Sequence, residues 1–281
     1  MRIAHLILAH KNPEQLEMLI KALQHPSFEI FLHIDGKSDQ SQFTYLTRYP
    51  NVRFIRKRTK IYWAGYGTIQ GTLNGFEEII PLNFDYINVL SAQDYPIKTA
   101  SYIYDFFKAQ AGTEFITCES IKDEWKEAAS RVHNYHLINF RIPGKYRLEK
   151  ILTAILPARK APFGYEFVGR ANWFALTNKA ADFIFRFQKE HPSYVRYFKL
   201  CWGADEFFFS TLLFNTPGFR EKIKPNLTYV DWSVIEEKGH PKILDSGDFD
   251  KLTRSDKLFA RKFDISRDEK IIHKLAEWLN S

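Results

Sequence analysis

Cysteine is scarce in this 281-residue sequence: Cys118 and Cys201 are the only two, and they lie far apart. Two thiols so placed make neither a disulfide framework nor a metal-binding cluster, so a reducing compartment is expected. Long apolar runs are missing as well. The run Ile3–Ala9 follows Met1-Arg2 directly and is too short for a signal h-region or a membrane span, which predicts a soluble chain. No P-loop, GxGxxG, GxSxG or HExxH pattern is present, which sets aside NTPase, dinucleotide-binding, serine-hydrolase and zincin chemistry. Without repeats, low-complexity tracts or a linker-like change of composition, the sequence predicts one domain over residues 1–281.

Aromatic residues, by contrast, are plentiful: 25 Phe, 14 Tyr and six Trp make up 16% of the chain. Most belong in a core; the surplus suits a sugar-binding cleft, where rings serve as stacking surfaces. A hydrophobic fraction of 45% and a charged fraction of 26% are ordinary for a globular protein. The net charge of +7 and a pI of about 9.2 favour an anionic partner, whether nucleic acid, anionic lipid or a nucleotide diphosphate. The densest basic cluster (Arg53, Arg56, Lys57, Arg58, Lys60) has a solvated loop as its ordinary reading. With no zinc spacing and no Gly-rich basic strand of interleaved aromatics beside it, nucleic acid is disfavoured.

Along the chain, Ile3–Ala9 has the unbroken apolar character of a buried parallel strand. Asn12-Pro13 then marks a helix start, with Pro at the first helical position. Phe28–Ile34 and Val52–Ile55 read as strands, Ile69–Ile80 as a helix and Tyr86–Leu90 as a further strand. This β-α-β-β-α-β alternation predicts an α/β fold, Rossmann-like, with a mostly parallel sheet and helices on both faces. Ligands gather beyond the carboxyl ends of such strands, where His10, Asp35 and Asp94 fall. The second half is less regular. Strands are expected at Glu114–Cys118, Phe167–Leu176 and Leu227–Val234, and helices at Lys179–Lys189, Asp205–Phe214 and Ile271–Leu279. Residues 120–167 read as a long polar and basic excursion over the sheet and 239–250 as a Gly/Pro/Asp-rich loop whose end, 245–250, is acidic.

The stretch Cys201–Leu213 organises the chemistry. Asp205 and Glu206 stand where a buried aromatic helix begins, so Asp205 fits an N-terminal cap facing unpaired backbone N–H groups. Glu206, against Trp202 and the phenylalanines, is a carboxylate whose pKa desolvation raises toward that of a general base. The plainer alternative is a capped core helix with a solvated first-turn charge. Carboxylates at strand ends together with a late basic segment are what a nucleotide-sugar transferase needs. A leaving sugar diphosphate requires either a metal or fixed Lys and Arg side chains. An acceptor hydroxyl requires a carboxylate base when the anomeric centre inverts.

Several stretches, in order, carry a family resemblance: Phe31–Ser38, Ile61–Tyr66, Ser91–Lys98, Gly169–Leu176, Ala204–Phe209, Asp231–Ser233, His240–Lys242 and Leu258–Asp264. Together they resemble the Core-2/I-branching β-1,6-N-acetylglucosaminyltransferase family, which includes peptide O-xylosyltransferases, in a short bacterial form. The resemblance implies a GT-A-like fold with a nucleotide-sugar-binding half (1–118) and an acceptor-binding, catalytic half (119–281). It also implies inverting transfer from a UDP-sugar without metal or other cofactor. Carried over residue by residue, Glu206 matches the catalytic base beside Asp205, and Lys262 matches a diphosphate ligand. Lys242 is the second basic ligand, with Arg254 as its alternative; Asp35 and Trp63 complete the donor side. Glu119, Trp232 and Trp173 fall on the acceptor side. Ala204 stands where the family usually has Pro. UDP-N-acetylglucosamine is the first donor expected and UDP-xylose the second, with a glycan or lipid-linked saccharide as acceptor. Such a member acts in the cytoplasm, and its basic surface is compatible with peripheral association at the inner membrane face. Two rivals are a non-catalytic carbohydrate- or nucleotide-binding module and a metal-dependent transferase using Asp94 or Asp245, Asp248 and Asp250.

Overall fold

The computed structural model describes residues 1–234 and 240–281. Gly239, the first residue of the expected Gly/Pro/Asp-rich loop, lies outside the described residues. The chain divides into two compact units, each discontinuous in sequence. Unit 1 comprises 1–56, 84–112 and 227–281; unit 2 comprises 57–83 and 113–226. These units do not follow the halves expected on either side of residue 118, because the last segment belongs with the first.

The elements run, in chain order, β1 (Ile3–Ala9), α1 (Pro13–Ala22), β2 (Phe28–Ile34), β3 (Val52–Phe54), α2 (Gly67–Ile79), β4 (Tyr86–Ser91), β5 (Asp94–Pro96) and α3 (Ala100–Ala109). There follow β6 (Glu114–Phe115), β7 (Glu119–Ser120), α4 (Ala129–His133), α5 (Lys145–Ile155), β8 (Val168–Gly169), β9 (Phe174–Thr177), α6 (Asn178–Glu190), α7 (Pro192–Phe198) and α8 (Phe208–Phe214). The last are β10 (Ile223–Lys224), β11 (Thr228–Val230), α9 (Phe249–Arg254), β12 (Phe259–Arg261) and α10 (Lys270–Asn280).

In unit 1, β1 pairs in parallel with both β2 and β4, and β2 with β3. Every residue of β1 is buried, as its unbroken apolar run requires of a central parallel strand. The mostly parallel α/β class expected from the sequence is thus borne out. A second small sheet joins β5 antiparallel and β11 parallel to β12. Unit 2 carries β10 parallel and β9 antiparallel to β6, together with the pair β7–β8.

Three expectations need correction. The excursion 120–167 contains helices α4 and α5, the latter with no buried residue, which is why its periodicity did not register as a core face. The strand read as Glu114–Cys118 is cut to β6, with β7 just beyond it, and the strand read as Phe167–Leu176 is interrupted, leaving β8 and β9. The helix read from Asp205 begins instead as a 3-10 turn over Ala204–Glu206, and α8 starts only at Phe208. Gly203, at φ 63°, holds the N-cap that was expected of Asp205.

Candidate functional site

Unit 2 assembles its polar centre around Glu206. The 3-10 turn is set by Gly203, whose left-handed backbone suits glycine, and its N–H donates to the Ala64 carbonyl at 2.9 Å. That bond ties the turn to the Ile61–Tyr66 loop, which Asn139 holds from its other side through the Tyr66 N–H at 2.7 Å. Gly169 lies against the Glu206 backbone, and a Cβ at this position would sit 2.0 Å from the Glu206 carbonyl oxygen. The hydroxyls of Ser210 and Thr211 donate to the Val168 carbonyl at 2.9 and 3.1 Å, so α8 and β8 are stitched together directly behind the turn.

On this frame the Glu206 carboxylate accepts from Arg131 Nη1 at 2.7 Å. The Arg131 guanidinium lies 4.5 Å from the centre of the Trp202 ring and 5.2 Å from that of Trp125. Trp63, half exposed, meets Trp202 edge-on with ring centres 5.0 Å apart, and Trp125 stacks on Phe207 at 4.8 Å. Burial, and then the neighbouring charge of Asp205, push Glu206 up to about 8 against the opposing pull of Arg131 and Arg170. The side chain keeps 30% exposure, so the carboxyl stays reachable from solvent. Asp205 accepts from Asn172 at 2.7 Å, and its burial raises its own pKa. Glu119 pairs with Arg170 at 2.9 Å. Trp173 is half-buried in the same unit, and its carbonyl accepts from Asn226 at 3.5 Å. Unit 2 therefore holds Glu206, Asp205, Glu119, Trp173 and Trp63 among the residues named from sequence, and unit 1 holds Asp35.

Unit 1 builds a cationic neighbourhood beyond the carboxyl ends of β1 and β2. Asp35, directly after β2, is buried and closes a turn by accepting from the Lys37 N–H at 2.9 Å, while Lys37 Nζ lies 3.4 Å from the other oxygen. Lys11, two residues after β1, donates to Asp264 at 2.6 Å. Burial works against the Asp264 charge, but hydrogen bonds from Lys11 and Ser266 outweigh it and hold the carboxyl down at about 2. Lys262 follows β12 and is positioned through its backbone. Its carbonyl accepts from Leu244, and the next residue, Phe263, donates its N–H to Gln93 at 2.9 Å. Gln15 of α1 reaches the Phe263 and Ala92 carbonyls, at 3.1 Å each. Burial, and then the charges of Arg261 and Lys11, lower the Lys262 pKa, with Asp264 and Asp94 opposing. His10 is lowered for the same kinds of reason: burial, Lys11, Lys262 and Lys37 against Asp35. A half-buried ammonium among like charges is a setting that an anion relieves.

The other unit 1 candidates stand differently. Lys242 holds both oxygens of buried Asp248, at 2.7 and 2.8 Å. Asp245 and Asp248 form a reciprocal capping box that leads into α9, so the acidic loop is built as a helix start. Arg254 is exposed in the last turn of α9, and Trp232 is 53% exposed. Asp94 is fully buried, accepts from the Ser91 N–H at 2.8 Å and lies 3.6 Å from Arg261. Among the described residues, no three His, Cys, Asp or Glu side chains gather as a metal-binding group. Sequence reasoning missed Arg131, which sits in the irregular segment where no periodic signal marks a residue, and Lys11, which lies in the turn between β1 and α1, upstream of all the quoted motifs.

The Core-2/I-branching enzyme family model matches residues 3–254. The chain is 25% identical over 302 aligned residues to xylosyltransferase oxt of Drosophila melanogaster, covering 99% of this chain and 33% of that protein. It is 27% identical to the beta-glucuronosyltransferase GlcAT14B of Arabidopsis thaliana, covering 98% of this chain and 65% of that one. The chain thus spans about a third of the length of the xylosyltransferase it matches. A solved cytidylyltransferase from Leptospira borgpetersenii overlaps 68% of this chain and 69% of its own, at 12% identity and a TM-score of 0.34. With the family model spanning β1 to the end of α9, the chain belongs to the Core-2/I-branching enzyme family.

Proposed function

We propose that this chain is an inverting glycosyltransferase that moves a sugar from a UDP-sugar to a hydroxyl of a glycan or lipid-linked saccharide, without a metal. The observation that carries the reading is Glu206: a carboxylate raised to about 8, reachable from solvent and oriented by Arg131 among three tryptophans.

In this reading Glu206 accepts the proton of the acceptor hydroxyl as the oxygen bonds to the anomeric carbon. The bond from that carbon to the diphosphate breaks, its electrons leave with UDP, and the configuration inverts. Arg131 keeps the carboxylate aimed, and Trp63 and Trp202 offer ring surface to the sugar. Lys262 takes up the growing charge on the diphosphate, with Lys11 beside it and Asp35 placed toward the nucleoside. Lys242 belongs to this set only if a ligand draws it from Asp248, and Arg254 remains its alternative. Glu119, Trp173 and Trp232 fall to the acceptor. UDP-N-acetylglucosamine is the first donor and UDP-xylose the second. The names of the relatives, xylosyl- and glucuronosyltransferases, add UDP-glucuronate to the panel. The work would be done in the cytoplasm.

Calorimetric titration with UDP in excess chelator, paired with a transfer assay across the three donors, tests the reading. UDP binding without metal, together with turnover that Glu206→Gln reduces by about 10²–10⁴-fold, is expected. Full turnover in Glu206→Gln, or binding and turnover that return only with manganese, overturns it.

A further inference from the structure

Helix α5 and its flanks leave an apolar face uncovered. Leu148, Ile151 and Ile155 stand at i, i+3 and i+7, one stripe of a helix, with exposures of 39%, 53% and 71%. Phe140 and Ile142 before the helix, and Leu156 and Phe163 after it, are exposed as well. The helix is nevertheless held in place. Glu149, which lies off this stripe, accepts from the Leu137 N–H at 2.6 Å. Beyond its end, buried Arg159 donates to the carbonyls of Leu200 and Tyr197 at 2.8 and 2.5 Å, with its guanidinium 3.7 Å from the Tyr197 ring centre. These polar tethers fix one side of the segment and turn the stripe outward.

The charges beside the stripe are of one sign. Residues 141–160 hold Arg141, Lys145, Arg147, Lys150, Arg159 and Lys160 against the single acid Glu149. Arg159 and Glu149 are taken up by the tethers just described, and the Arg141 guanidinium lies 4.1 Å from the Tyr62 ring centre, which leaves Lys145, Arg147, Lys150 and Lys160 flanking an apolar ridge. An acidic protein surface would complement the cations but gains little from bulky apolar side chains spread over so long a segment. An apolar protein groove would leave the cations unused. A bilayer with anionic headgroups satisfies both, by taking the ridge into its acyl boundary and the cations at its phosphates.

We propose that the segment from Phe140 to Phe163, centred on α5, is a docking surface for an anionic lipid bilayer, with α5 lying in the interfacial plane. This inference is independent of the sugar-transfer reading, since it rests on residues that take no part in the Glu206 site.

Flotation of the full chain with phosphatidylcholine vesicles, with and without phosphatidylglycerol, tests it. The expected result is capture by the anionic vesicles only, weakened by salt. Replacing Lys145, Arg147 and Lys150 together by Gln should weaken capture by about fivefold per charge. The pair Ile151→Ser and Ile155→Ser should abolish capture while circular dichroism and the melting temperature stay unchanged, because both side chains are exposed. Absence of capture at low salt, or capture indifferent to both sets of changes, overturns the proposal. So does self-association in sedimentation velocity that Ile151→Ser and Ile155→Ser remove without any vesicle binding, which would make the face a contact between copies.

Discussion

Arg131 Nη1 lies 2.7 Å from Glu206 Oε2 while its guanidinium rests against Trp202 and Trp125, so one side chain orients the carboxylate and opposes the rise in its pKa. Arg131→Ala removes one of the influences that lower the Glu206 pKa, leaving burial and Asp205 to raise it further. At neutral pH fewer molecules then carry an ionised base. Turnover should fall by roughly tenfold, and the rising limb of the pH–rate profile should move to higher pH, with Arg131→Lys in between. An Arg131 that only supports the fold would lower the melting temperature and leave that limb where it was.

In the unaltered protein the same limb should lie near pH 8, the value at which Glu206 loses its proton. A stability effect of opposite slope accompanies it. The folded pKa of about 8 stands above the ordinary 4.5, so the folded state holds this proton more tightly. That contribution is complete below pH 4.5 and is lost as pH rises toward 8. Glu206→Gln should therefore melt above the parent at alkaline pH, with the gap closing in acid. Thermal melts across pH, set beside the rate profile, would separate the two roles of one carboxylate.

Gly169 is required by proximity: a methyl group there would stand 2.0 Å from the Glu206 carbonyl oxygen, which is a backbone atom and has no rotamer by which to yield. Gly169→Ala should cost about 2–4 kcal/mol and reduce activity more than its loss of folded protein accounts for. Differential scanning calorimetry and active-site titration of the folded fraction check this.

The two lysines proposed for the donor should part company. Lys262→Ala removes a half-buried cation from among Arg261 and Lys11, so UDP affinity should fall by at least about tenfold while the melting temperature holds or rises slightly. Lys242→Ala leaves the buried Asp248 carboxylate without its bidentate partner, so stability should fall by about 2 kcal/mol with UDP affinity little changed. Calorimetry with UDP and thermal melts on both variants decide which lysine serves the ligand.

Unit 1 was legible because its strands are buried on both faces: β1 and β2 occupy the very ranges that their apolar runs mark. The Asp205-Glu206 pair was legible as chemistry, yet its local geometry was not. A helix was expected, and a glycine at φ 63° produced a 3-10 turn, because sequence does not show which backbone the Ala64 carbonyl will hold. Arg131 was invisible for a different reason. It reaches Glu206 across 75 residues of sequence, from a segment whose helices bury too little to show a period. Lys242 illustrates the reverse case, in which a motif position was legible and the acid that occupies it was not.

The discontinuity of unit 1 has a consequence for how the protein is made. Strand β5 is synthesised well before its neighbour β12 and the lysine that follows it. Until then Gln93 lacks the Phe263 N–H that binds its carbonyl, and Lys11 lacks Asp264. Nascent chains stalled before residue 259 should therefore hold an unfinished unit 1 that protease opens readily, and Lys262 should join Lys11 only once β12 has been made.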